Sequence, residues 1–228
     1  MSGKNFSKSR SQRAGHAQQH ASHTAEQTRT RLAYEAARIM AEESVRDYAT
    51  AKRKAAERLA IPQTKNLPSN EEIELELRRY LELFQGKQLS QRAHHLRGVA
   101  LEAMRWLEAF DPKLVGPVLA GTVTEGAVVE LHVGADSPEQ IQLWFSEQFI
   151  DFEQSERRVR FGGDRYEMLP MFRFVAHDTT VELCVFTRRA IREVPLSPVD
   201  GNPMRRANLR EVESIVNKNE DRRDRAET

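Results

Sequence analysis

Two hydrophobic periods divide this chain at Asp111-Pro112, and that division limits the possible folds more than any other feature. Before it, apolar residues recur every three or four positions. After it, short apolar runs alternate in and out and are punctuated by glycine and proline. In the first half, Thr24-Ala-Glu-Gln27 has the form of a capping box. It predicts one long helix carrying Leu32, Ala36, Ile39, Met40, Val45, Tyr48, Ala55 and Leu59, ended by Ile61-Pro62. Gln63–Pro68 reads as a linker. A second capping box, Ser69-Asn-Glu-Glu72, opens a helix with Ile73, Leu77, Tyr80, Leu81 and Phe84 on one face, and Gly86 predicts its end. A third helix is expected from Ser90 to Ala109, with Leu96, Val99, Ala100, Met104 and Leu107 inward.

Beyond Pro112 the pattern predicts strands. Lys113–Ala120, Val128–Val133, Phe152–Phe161, Met171–Ala176 and Thr180–Phe186 are the candidates, the last two joined by a turn at His177-Asp178. Ser137-Pro138 predicts the start of a short helix. A loop, Pro195–Pro203, precedes a final helix over Ala207–Lys218. Helices followed by mixed strands imply an α+β fold. The expected divisions are a basic arm without fixed structure over 1–23, a helical region over 24–110, an α/β core over 111–218 and a charged tail over 219–228.

Composition narrows the function classes. The chain has 228 residues, 30% of them charged, yet 35 basic residues balance 34 acidic ones to a formal +1. No global basic excess makes nucleic-acid binding the default. The single cysteine, Cys184, rules out an intramolecular disulfide and favours a reducing compartment. No segment reads as a membrane span or secretory leader, so a cytoplasmic location and no membrane partner are expected.

Chemistry concentrates on two strands. In Val128–Val133, Glu130 and His132 share a face with Val128; in Thr180–Phe186, Glu182 shares one with Cys184 and Phe186. A carboxylate between large apolar neighbours requires a cation, metal or hydrogen-bond donor nearby. Arg157, Arg158, Arg160 and Arg165 flank Gly162-Gly163 and form the densest basic cluster of the second half. Two readings stand side by side: they meet the phosphates of a nucleotide or RNA, or they are outward residues that protect an edge strand. His16, His20 and His23 fall in the N-terminal arm, His94-His95 point to different sides of a helix, and Lys52-Arg53-Lys54 reads as a solvated face.

The order strand, Gly121-Thr122 turn, strand with Glu130, and later strand with Glu182 resembles the nucleotidyltransferase superfamily over about Leu114 to Phe186. Arg-Phe-Gly-Gly at 160–163 and Leu-Ser-Pro-Val-Asp-Gly at 196–201 add to the resemblance, which is with bacterial proteins of that kind. It implies a small mixed sheet with flanking helices of nucleotidyltransferase type. It also implies that Gly121 and Thr122 hold nucleotide phosphates and that carboxylates, here Glu130 and Glu182, hold Mg²⁺ for nucleotidyl transfer. The sequence departs from the pattern in three places. Val128 stands where a first acid is expected, the other two acids are glutamates, and Val123–Ala127 leaves little room for a helix after the turn. Three expectations follow: a catalytically reduced binder of a nucleotide, RNA or a protein partner engaged by the N-terminal helices; an active transferase using Glu130, Glu182 and Mg²⁺; or an unrelated α+β interaction module.

Overall fold

The computed structural model describes residues 25–61 and 66–224, with side chains to Lys218. The expected arm over 1–23, the residue Thr24 of the first capping box and the linker core at 62–65 lie outside the described residues. The fold is α+β, with helices first and a five-stranded mixed sheet after them. Among the described residues no helix is long and apolar enough to cross a membrane. The chain divides into two compact units between Tyr80 and Leu81. That point lies inside one helix, so the helical region expected over 24–110 is shared between them.

The first unit contains helix α1 (residues 25–42), α2 (Tyr48–Arg58) and the opening turns of α3 (Asn70–Trp106). The single long helix expected up to Leu59 is two helices. Ser44 takes a left-handed φ of 55°, and Asp47 caps α2 by accepting a hydrogen bond from the Thr50 amide at 2.7 Å. Alanines at 36, 37, 51 and 55 are fully buried, so the core here is close backbone packing around Leu32, Ile39, Ile73 and Leu77. Polar contacts tie the helices together. Tyr48 donates to Glu74 at 2.8 Å, Arg29 donates to Glu72, and Glu43 takes both Lys54 and Arg58. The second capping box forms as expected, with the Glu72 amide on Ser69 Oγ at 3.1 Å and the Ser69 amide on Glu72 Oε2 at 2.7 Å.

Gly86 does not end a helix. α3 runs without interruption through the two helices expected from the sequence. A mid-helix glycine costs only about 1 kcal/mol against alanine. No proline or capping residue beside Gly86 adds to that cost, and the packed segment from Ala93 to Met104 anchors the helix beyond it.

The second unit is built on the sheet β1 (Lys113–Val115), β2 (Val129–Ala135), β3 (Glu153–Arg160), β4 (Tyr166–Ala176) and β5 (Thr179–Thr187), in the order β1-β2-β5-β4-β3. The β2–β5 pair is parallel and the others antiparallel. Lys113–Ala120 is not one strand. The chain leaves β1 at Gly116, which has φ +70°, and Pro117 opens the five-residue helix α4 (Gly116–Ala120). Alternation then gives the sheet two different faces. One carries Val129, Leu131, Val133, Val181, Leu183, Phe172 and Phe174 against the last turns of α3, α5 (Pro138–Glu147) and α6 (Leu209–Asp224). Trp106 and Trp144 meet there with ring centroids 3.9 Å apart. α6 begins with its own capping box, in which Asn208 and Glu211 exchange side chain-to-amide bonds. The opposite face holds a smaller apolar cluster of Val159, Phe161, Leu169, Cys184, Phe186 and Ile191. The ionisable side chains lie beside it.

Candidate functional site

Register explains how two glutamates 52 positions apart become neighbours. Glu130 and Glu182 are Cα partners in the parallel β2–β5 pair, and Arg173 of β4 is the partner of Glu182 on the other side. Residues paired in register present their side chains on one face of the sheet. Glu182 is 2% exposed, which makes it the most deeply buried acid among the described residues of the second unit. Arg157 projects from β3 on the same face. Its Nη1 donates to Glu130 Oε2 at 3.0 Å and its Nη2 to Glu182 Oε2 at 2.6 Å. Arg173 Nη2 donates to Glu182 Oε1 at 2.9 Å, and its Nη1 lies 3.5 Å from Glu153 Oε2. One guanidinium therefore spans both carboxylates and a second supports the buried one. This is the fork geometry that suits arginine to the task.

The turn beside these carboxylates is Gly116-Pro117. A β-carbon on Gly116 would stand 3.2 Å from the Glu130 carboxyl carbon and 3.3 and 3.4 Å from its oxygens. The cause is again register: Val115 is the Cα partner of Glu130, so the next residue must pass the carboxylate. Gly121 and Thr122, read from the sequence as the turn of the site, terminate α4. Gly121 adopts φ +85° as the C-cap, and the amides of both residues donate to the Pro117 carbonyl. Arg97 closes this helix end by donating to the Val118 and Leu119 carbonyls. The short connection Val123–Ala127 carries no helix; the only helix between β1 and β2 is α4, which precedes it.

The four arginines singled out in the sequence separate. Arg157 enters the carboxylate cluster. Arg158 stacks on the Tyr166 ring at 3.9 Å, Arg160 donates to the Gly163 carbonyl at 3.4 Å, and Arg165 bonds Glu167 and Glu193. Gly116 and Arg173 belong to the site without having been singled out. Gly116 carries the local signal of a glycine ending an apolar run, while Arg173 carries none until its strand is paired.

His132 completes the face. It is 4% exposed, packs on the Phe186 ring at 4.8 Å, and its Nδ1 has no hydrogen-bond partner among the described residues. Burial, with Arg206 and Arg157 nearby, pushes its pKa down to about 3, so it is neutral at physiological pH. Cys184, its register partner, is buried and its thiol is pushed up to about 12, chiefly by that burial. A thiol held protonated in this way is not a nucleophile.

The arrangement is a neutralised ionic cluster. Two carboxylates face two guanidinium groups, and no group of three histidine, cysteine or acidic side chains placed to hold a metal ion occurs among the described residues. A hard divalent cation takes six or more oxygen ligands and favours clustered, unneutralised carboxylates. The residues present do not fit Mg²⁺. No family model, curated protein or solved structure matches the chain.

Proposed function

We propose that this chain is a catalytically reduced, nucleotidyltransferase-like protein that works by binding a nucleotide without a metal ion. The observation that carries the reading is Arg157 lying across Glu130 and Glu182. In an active transferase, exposed carboxylates would repel a triphosphate until divalent cations neutralised both. Here a covalently attached cation does the neutralising, Arg173 assists, and Val128 stands where a third carboxylate would be needed. Support for the family also comes from chain order: β1, a glycine turn, a short helix, β2 with Glu130, and β5 beside it with Glu182. The turn assigned to the ligand is Gly116-Pro117, where a β-carbon on Gly116 would crowd the Glu130 carboxylate.

Calorimetric titration with ATP, GTP, CTP and UTP, each with Mg²⁺ and with EDTA, tests this. The expected result is binding of at least one nucleotide that is unchanged by EDTA, with no release of pyrophosphate. Mg²⁺-dependent binding with transfer activity, both lost in Glu130→Gln/Glu182→Gln, would establish an active transferase instead. Absence of binding to all four nucleotides would remove the nucleotide reading.

A further inference from the structure

The outer strand β3 offers a second function, that of a self-recognition surface. It lies at the end of the sheet order beside β4 and its eight residues are mostly exposed, but its last residue is closed by the Leu196 amide, which donates to the Arg160 carbonyl at 2.7 Å. The open edge over residues 153–159, about 23 Å at ~3.3 Å per residue, is a template for another strand unless something blunts it. Charged side chains are the usual protection, and β3 has five in Glu153-Gln-Ser-Glu-Arg-Arg-Val-Arg160. Their order, however, does not protect the strand from itself.

We propose that β3 pairs antiparallel with β3 of a second copy of this chain, about a two-fold axis at Arg157. Opposed residues in an antiparallel pair share a face, so a two-fold axis must pass through a residue position and not between two. With the axis at Arg157, Glu156 faces Arg158 of the second copy, and the symmetric pair repeats it. Ser155 faces Val159, and the ladder ends there because the Arg160 carbonyl already accepts from the Leu196 amide. The charge at the centre is tolerated because each Arg157 reaches back across its own sheet to Glu130 and Glu182. That reach also draws its side chain away from the edge. Moving the axis one residue to Glu156 sets two glutamates against each other. Moving it to Arg158 opposes two arginines that face no carboxylate of their own. Moving it to Ser155 sets Glu153 against an Arg157 already committed to Glu130 and Glu182, a weaker match, so charge complementarity favours the Arg157 register. The five-residue overlap over 155–159 is less than a stable interface of ~1,200 Å² normally uses, so the dimer should be reversible and concentration-dependent.

Sedimentation velocity on the full chain over a wide concentration range tests the proposal, using wild type, Glu156→Arg, Arg158→Glu and the double exchange. Each single change places like charges opposite one another twice and should weaken association by about tenfold or more. The double exchange restores opposite charges and should recover wild-type association to within about threefold. That recovery also separates a lost contact from a damaged fold. A wild-type chain that stays monomeric throughout overturns the proposal. So does a dimer that both single variants leave intact, or a double exchange that recovers nothing.

Discussion

Replacing Arg157 by alanine is the sharpest perturbation of the ionic cluster. The change removes two charge-assisted hydrogen bonds, at 3.0 Å to Glu130 and 2.6 Å to Glu182. Taking one partner from a buried pair costs roughly 3–5 kcal/mol, because a charge is left in a poor environment. Two features reduce that figure here. Arg157 is 33% exposed, so solvent already screens part of the interaction, and Arg173 still reaches Glu182. A loss of about 2 kcal/mol is expected after that discount. Both tryptophans, Trp106 and Trp144, belong to the second unit, so their fluorescence during urea unfolding reports on the unit that holds the cluster. With a denaturant slope of about 2 kcal/mol per M, the midpoint should fall by about 1 M. Arg173→Ala should cost less, about 1 kcal/mol, because Arg173 is 47% exposed and touches one carboxylate of the pair. A double-mutant cycle with Glu182→Gln should show coupling to Arg157 of at least about 1 kcal/mol. The reasoning fails if Arg157→Ala leaves the midpoint unchanged, or if Arg173→Ala proves the more damaging change.

Other consequences can be checked on the same footing. His132 has a folded pKa of about 3 against an unfolded value near 6.5, so the unfolded chain binds the extra proton between those values and stability falls with falling pH there. Between pH 6.5 and pH 5, wild type should lose about 2 kcal/mol more than His132→Leu in urea titrations. The lowered carboxyls of Glu35, Asp47 and Glu72 act only below that window, where protonation ends their favourable contacts. Cys184 should react slowly with a disulfide reagent at pH 8 and become fully titratable when the chain is unfolded in urea. Gly86→Ala should raise stability by up to about 1 kcal/mol, seen as a higher melting temperature, since a β-carbon there meets nothing within 4 Å. Gly116→Ala should do the opposite by about 1–2 kcal/mol, because it combines a left-handed φ with crowding of Glu130.

Much of the fold was legible because its signals are local. The capping box at Ser69-Glu72, the strand alternation around Leu131 and Leu183, and the turn at His177-Asp178 each lie within a few residues. The errors share a different cause. Gly86 is a plausible helix end by propensity alone, but packing of Leu96, Ala100 and Met104 outweighs a cost of about 1 kcal/mol. Conversely, the apolar spacing from Met40 to Tyr48 continues smoothly, while Ser44 turns left-handed and Asp47 captures the Thr50 amide. Side-chain competition with the backbone leaves no trace in hydrophobic periodicity. The run Lys113–Ala120 divides for a related reason: Gly116 and Pro117 are weak breakers within an apolar run until the neighbouring strand is known.

The site was only half legible, and the missing half decides its chemistry. Glu130 and Glu182 could be singled out because each interrupts an apolar pattern on its own strand. What neutralises them depends on register. Sliding β4 by one residue against β5 would turn Arg173 to the other face, and the same slip in β3 would remove Arg157. Nothing local fixes those registers; they follow from burying Phe172, Phe174 and Leu183 on the opposite face. The apolar core thus determines which cations meet the carboxylates. A sequence reading that sees two acids without their arginines points toward a metal. The paired sheet shows the same two glutamates bonded to Arg157 and Arg173 instead, an ionic cluster that no single strand announces.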